Sequence, residues 1–283
     1  MSFRHMSIVA AAAAALGIGS TLHASMIPFS SSTFTLNHST TEDQNSGDIP
    51  TISGGVLTLM NGGASDANSS FYTTPVSLTS PFTVSFVMQA TNPTGGGSGF
   101  TTYGADGYTF TIAALSDGTG DYGGRGSGLG WGNNDSNGRT PPNYIANSVA
   151  AEYTIYPGGS QSFETGVVSA GSGGASAGNY NLTGVMFSDP TLVTITYTGT
   201  TVSETLLDTV SNATYTLPPV AENLSSIVGS SGYIGFTGGS GGDSSTVQIS
   251  SLSVTPVGVP EPTSIALLSI GAVTLLGRRR RTA

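Results

Sequence analysis

At 283 residues, with 41 Gly, no Cys and 8% charged side chains, the chain can bury one sizeable core, forms no disulfide and offers no thiol nucleophile. Its seven basic residues are Arg4, Arg125, Arg139 and Arg278, Arg279, Arg280 and Arg281, so between residues 26 and 259 fifteen acids stand against two Arg and no Lys, a net charge of −13 with His neutral. A surface of that sign repels nucleic acid and anionic membranes, which are held through clustered Lys and Arg, and nucleic-acid partners are excluded.

Residues 1–24 read as an export signal: Arg4 is the charged start, residues 8–18 an apolar Ala-rich helix, and the cut falls near Ala24 or Ser25. Residues 30–46 are polar, with Phe34 and Leu36 on an edge strand. Gly54 and Gly55 ahead of Val56-Leu57-Thr58-Leu59 signal a hairpin entering a sheet, and residues 70–78 alternate weakly. Pro81 introduces a strand whose Phe82, Val84, Phe86 and Met88 fall on one face and belong to the core.

Next, a Gly-flanked acidic turn at Asp106 runs into the alternating segment Tyr108-Thr109-Phe110-Thr111-Ile112, an inner strand. A glycine-rich loop over residues 117–128 follows, then Leu129-Gly130-Trp131-Gly132 as a further inner strand, a turn rich in Asn and Pro, and a strand over residues 148–156. Beyond a Pro-Gly-Gly turn come a short strand over 163–168 and a loop over 169–178 that is nearly all Gly, Ala and Ser. A hairpin turns at Gly199 and continues to Leu206 and Leu207, residues 218–227 hold the one short helix, and strands over 233–236 and 247–254 close the sheets. Short strands without long helical patterns or a fixed-period repeat imply an all-β antiparallel sandwich over residues 26–256.

The C-terminus carries the most specific signal. Val259-Pro260-Glu261-Pro262-Thr263 precedes an apolar run over residues 264–277 and then four Arg. The prolines keep the approach extended and stop a helix running back into the domain. As a helix the apolar run extends about 21 Å, short of a hydrocarbon core of about 30 Å, so it spans only with snorkelling Arg or local thinning. The positive-inside rule puts the Arg cluster in the cytoplasm and the domain outside, in agreement with the N-terminal signal. Residues 259–283, with Pro260, Glu261 and Pro262 as the motif, resemble the PEP-CTERM sorting signal; an ordinary tail anchor is the other reading. The resemblance implies recognition by an exosortase, transient residence in the inner membrane, cleavage near the motif and release to the cell surface or extracellular matrix.

A second resemblance covers residues 33–255. The order Phe82-Thr83-Val84-Ser85-Phe86, Ala105-Asp106-Gly107-Tyr108-Thr109-Phe110, Gly128-Leu129-Gly130, Asn147-Ser148-Val149-Ala150-Ala151-Glu152-Tyr153 and Tyr233-Ile234-Gly235-Phe236-Thr237-Gly238-Gly239-Ser240-Gly241 is similar to the legume-type lectins. That family implies a concanavalin A-like jelly roll that binds sugars. In it the Asp of the turn accepts hydrogen bonds from sugar hydroxyls, which falls on Asp106 beside Gly107. A glycine loop supplies a backbone N–H, which falls on Gly126 or Gly128. Trp131 either stacks on a sugar face or packs in the core, and Asp106 either binds or caps its own turn. The family's metal strand reads Glu-Phe-Asp, with the Asp shared between a transition metal and calcium. Here Glu152 is kept, Thr154 stands at the Asp position, and no Asp occurs between Asp135 and Asp189, so neither metal nor other cofactor is expected. Glu152 is then either a buried acid or part of the pocket.

The case for catalysis is thin. His38 is the one His outside the export signal, so a Ser-His-Asp triad would have to use it. Glycosidases of related sandwich fold need two carboxylates about 5–5.5 Å apart for retaining hydrolysis. The strand here offers Glu152, then Thr154 and Tyr156, which leaves Glu164 as the candidate second acid. The expectation is a non-catalytic, exported protein whose partner is a polysaccharide or other glycan. The rivals are a structural matrix protein without sugar binding and, more weakly, a glycoside hydrolase.

Overall fold

The structure, a computed structural model, describes residues 24–39, 48–94, 104–133, 144–155, 162–169 and 181–257. In chain order the strands are β1 (Ser25–Met26), β2 (Asn37–His38), β3 (Thr51–Ser53), β4 (Val56–Asn61), β5 (Ala67–Phe71), β6 (Val76–Ser77), β7 (Phe82–Thr94), β8 (Gly107–Ala114), β9 (Ser148–Thr154), β10 (Ser162–Ser169), β11 (Asn181–Met186), β12 (Thr191–Tyr197), β13 (Thr201–Asp208), β14 (Thr214–Ala221), β15 (Ser231–Gly239) and β16 (Ser244–Pro256). They form two antiparallel sheets. The first runs β14-β13-β12-β7-β16-β4-β3 with β1 beside β16; the second runs β11-β10-β9-β8-β15-β5-β2 with β6 beside β15.

Strict alternation builds the core between the sheets. From the first sheet Val84, Phe86, Met88, Val193 and Ile195 point inward, and from the second Phe110, Ile112, Ile234 and Phe236 meet them. Phe86 stacks on Phe110 at 5.6 Å between ring centroids and meets Phe236 edge-on at 5.0 Å, the two geometries that aromatic quadrupoles favour. The second sheet is also covered on its other side. Trp131 and Ile145 pack there on Phe71, Ala113 and Ala150, so β8 and β9 are buried along their whole length.

The expected hairpins are present. Gly54 and Gly55 join β3 to β4 at φ of 59° and 78°, the two positive values a tight two-residue turn demands. Gly199, at φ 103°, sits in the turn between β12 and β13 and accepts a 2.7 Å hydrogen bond from the Tyr197 hydroxyl on its carbonyl.

One expectation is corrected. Residues 129–132 are not a strand: a single 3-10 turn over Gly126–Gly128 leads into further turns, with Leu129 left-handed at φ 55°. Residues 218–227 do hold a short helix, at their C-terminal end. Pro218 and Pro219 lie inside β14, at the sheet edge, where a residue without an N–H leaves no ladder partner unsatisfied. Only α1 (Leu224–Ile227) is helical, capped by the Asn223 side chain, which accepts from the Ser226 N–H. The expected signal helix, the short C-terminal membrane helix with the sorting motif, the Asn- and Pro-rich turn and the loop after β10 lie outside the described residues. No helix among the described residues is long and apolar enough to cross a membrane.

Candidate functional site

Four segments meet at one end of the sandwich: the β4–β5 connection, residues 104–106 entering β8, the turns of residues 123–132, and the β15–β16 turn. Asp106 is tied into this end by its backbone, its N–H donating to the Gly239 carbonyl at 3.0 Å and its carbonyl accepting from Ile155 N–H at 2.8 Å. Ser240 is the common knot. Its N–H donates to Asp66 O at 3.0 Å, its carbonyl accepts from Gly126 N–H at 3.0 Å, and its hydroxyl donates to Gly63 O at 2.9 Å.

The Asp106 side chain is 8% exposed. Its carboxylate receives the Gly241 N–H, while Oδ1 is buried without a hydrogen-bond partner. Burial pushes the carboxyl up to about 7 from an ordinary 3.8, the Gly241 N–H opposes the rise, and the nearby Asp243 charge adds to it. The group therefore sits near its midpoint at neutral pH, able to accept hydrogen bonds in its ionised form. Gly241 is a site donor that the sequence reading left without a role, although it stands in the quoted motif Gly238-Gly239-Ser240-Gly241.

Around Asp106 the site is more closed than a solvent-open rim pocket. Gly107, at φ 156°, is required by packing, since a Cβ there would lie 2.3 Å from the Tyr153 carbonyl and 3.1 Å from Leu129 Cδ2. The Gly126 N–H is spent on Ser240 O and the Gly128 N–H on Arg125 O, both at 3.0 Å, so neither offers the free donor expected of it. Trp131 is fully buried and its indole N–H donates to Ser148 Oγ at 2.8 Å. Its place is in the core, and stacking on a sugar face is corrected: the ring has no open side.

The metal-binding pattern does not fit. At the expected Asp position Thr154 is buried and donates weakly to the Glu164 carbonyl at 3.4 Å. Glu152 is fully buried opposite Thr109, and no group of three or more His, Cys, Asp or Glu that could hold a metal ion occurs among the described residues. Glu164 lies opposite Thr154 on β10, diagonal to Glu152 and about 7–8 Å from it along the backbone. With Glu152 at 0% exposure no substrate can enter between the two acids. His38 lies on β2, three strands from β8 and roughly 14 Å from it, which separates it from Asp106.

Another buried acid, Glu204, was missed. Glu204 on β13 points between the sheets, 1% exposed, and accepts from the Tyr153 hydroxyl and, at 2.7 Å, from Thr165 Oγ1. Burial lifts it to about 7 from 4.5 against the pull of these two donors. The signal was available: Val202 and Leu206 face inward, and period two puts Glu204 between them.

Residues 258–281 match the PEP-CTERM protein-sorting motif. No curated protein matches the chain. Among solved structures, the lectin from Bauhinia forficata in complex with GalNAc is 18% identical with a TM-score of 0.58, covering 82% of this chain and 99% of that one. Arcelin-5, a lectin-like defense protein from Phaseolus vulgaris, is 16% identical at a TM-score of 0.58, covering 83% and 98%. Basic winged bean lectin with Tn-antigen is 17% identical at a TM-score of 0.60, covering 82% and 99%. The chain thus joins a sandwich with the legume-lectin fold to a C-terminal PEP-CTERM sorting motif.

Proposed function

We propose that this is an exported, exosortase-processed, non-catalytic protein of the cell surface or extracellular matrix, which binds a glycan at the loop end around Asp106. The observation that carries the reading is the Asp106 carboxylate: it stands where four segments meet, and its buried Oδ1 has no protein partner. A buried acceptor without a donor costs about 1–3 kcal/mol, which a ligand hydroxyl admitted by a local opening of the loop end would relieve. Support for export comes from the sorting motif, and support for a glycan as ligand from the fold shared with lectins. The domain limits follow: a signal over residues 1–24, the sandwich over 26–256, and the sorting segment over 259–283 with Pro260, Glu261 and Pro262 at its head.

A second reading has its own observation. Because the Gly126 and Gly128 N–H groups and Trp131 are all committed internally, the sandwich could serve as scaffold alone. Chromatography on immobilised polysaccharides separates the two. Wild-type protein should be retained on at least one glycan, and Asp106→Ala should lose about tenfold or more in affinity, the loss of a charge-assisted hydrogen bond. Wild-type protein that runs through every glycan column removes the binding reading and leaves the scaffold.

A further inference from the structure

Two segments of the chain leave the sandwich at the end opposite Asp106. β1 pairs antiparallel with the close of β16, Ser25 against Val254 and Met26 against Ser253, and the Ile27 N–H donates to Leu252 O at 2.9 Å. The residues before Ser25, read as an export signal, therefore arrive where β16 departs. β16 starts at Ser244, beside the loops around Asp106, and ends at Pro256, level with Phe82 at the start of β7. Its 13 residues cover about 40 Å. Just beyond, the Val257 N–H donates to Pro81 O at 2.9 Å, and next to the Gly199 turn the Glu222 N–H donates to Thr200 O at 3.0 Å.

Tether length decides which end can face a membrane. From Val257 to residue 264, where the apolar run begins, is seven residues, at most about 25 Å of extended chain. With the Asp106 end against the bilayer that tether would have to cover about 40 Å, the length of β16, and it falls short. A molecule lying on its side stays within reach, and there the acids weigh against it. Asp48, Asp66, Asp106 and Asp243 gather around Ser240. Its N–H donates to Asp66 O, its hydroxyl to the carbonyl of Gly63, against which Asp48 lies; the Asp106 carboxylate takes the Gly241 N–H, and the Asp243 charge reaches Asp106. Near the other end the described acids outside the core are Asp117 and Glu222, and Asp117 is spent on the N–H and side-chain amide of Asn147, both at 2.8 Å. Exposed apolar side chains do not separate the ends, since Met26, Leu115 and Val257 stand toward one and Ile49 and Val210 toward the other. A bilayer containing anionic lipid repels acids within about 8 Å at physiological salt, so an upright molecule keeps the Ser240 cluster clear of it.

We propose that the end built by β1, Pro81, the Gly199 turn and Val257 faces an anionic lipid surface while the sorting segment is in the membrane, and that the Asp106 end points outward. The inference rests on the export and sorting reading above and not on glycan binding at Asp106. A glycan bound there would be held about 40 Å from the bilayer before the sorting segment is cut.

The test uses the exported chain with its sorting segment uncut, reconstituted into vesicles of phosphatidylethanolamine and phosphatidylglycerol. Because the chain has no Cys, Thr200→Cys and Gly242→Cys each accept one fluorophore at an exposed position, the first beside the tether and the second next to the Ser240 cluster. Energy transfer to an acceptor on the lipid headgroups should be about threefold or more stronger from position 200 than from position 242, as a separation of about 40 Å along β16 requires. Ser80→Glu with Ser230→Glu, both exposed, adds two acids at the tether end. It should cut transfer from position 200 about twofold or more at low salt, with recovery at high salt. Melting temperatures show that the labelled and charged variants are folded. Equal transfer from the two labels, or stronger transfer from position 242, overturns the orientation while the sorting reading stands. Transfer unmoved by the two added acids overturns the lipid contact. A chain that does not float with the vesicles overturns the sorting reading and this proposal with it.

Discussion

Asp106 and Glu204 are held in the folded chain at about 7, above their ordinary values of 3.8 and 4.5, because burial penalises the ionised forms. A raised folded-state value means that the folded chain holds more protons than the unfolded chain between the two values, so stability is greatest in acid and falls as pH rises toward 7 and just beyond. Calorimetry should find a melting temperature several degrees higher near pH 5 than near pH 8, and a smaller difference in Glu204→Gln. A melting temperature that is flat or rises over this range contradicts the assignment. Glu204→Ala should be worse than Gln at either pH, by roughly 3 kcal/mol, because it removes the acceptor of the Tyr153 hydroxyl and opens a cavity beside it. Trp131→Phe should cost about 1 kcal/mol of stability through the lost bond to Ser148 while leaving glycan retention unchanged. The position of Asp106 was legible, because the alternation of Tyr108, Phe110 and Ile112 fixes where β8 begins. The closure around it was not, since it depends on bonds such as Gly126 to Ser240, between segments more than a hundred residues apart.

At the scale of elements, period-two patterning gave β12 and β13 nearly to the residue and the start of β7, which runs past Met88 to Thr94, while Gly54-Gly55 marked the β3–β4 turn and Gly199 the β12–β13 turn. The misread element has a physical cause. Leu129-Gly130-Trp131-Gly132 is apolar because it packs on the outside of the second sheet, and burial alone does not distinguish a strand from a turn. Pro218-Pro219, ahead of the short helix that was expected within residues 218–227, stands in the edge strand β14. There it blocks pairing with another chain. Replacing both by Thr should leave the monomer folded and increase self-association, measured by light scattering; an unchanged association state contradicts the guarding role. Gly130→Ala tests the cap over the second sheet. With φ at 66° and a Cβ that would lie 2.4 Å from Gly238 O and 2.6 Å from Asn68 O, it should destabilise by about 2 kcal/mol or more.

For the whole molecule, two stacked sheets and an acidic body were legible from composition and periodicity, and the sorting motif from one run of residues. Thr154 at the family's Asp position and the lack of Asp between Asp135 and Asp189 carry the expectation that no metal is bound. Because the described residues gather no set of carboxylates for Ca²⁺, neither added calcium nor a chelator should move the melting temperature, and a calcium-dependent rise would contradict that reading. What the sequence left open is whether the loop end receives a ligand at all, since its donors are spent internally and one carboxylate oxygen is not. The most direct measurement compares wild type with Asp106→Ala on a glycan array at a pH where Asp106 is ionised. Retention of the wild type on one or more glycans, lost in the variant, is the predicted result; a wild type bound by none, or a variant bound as well as the wild type, would contradict it.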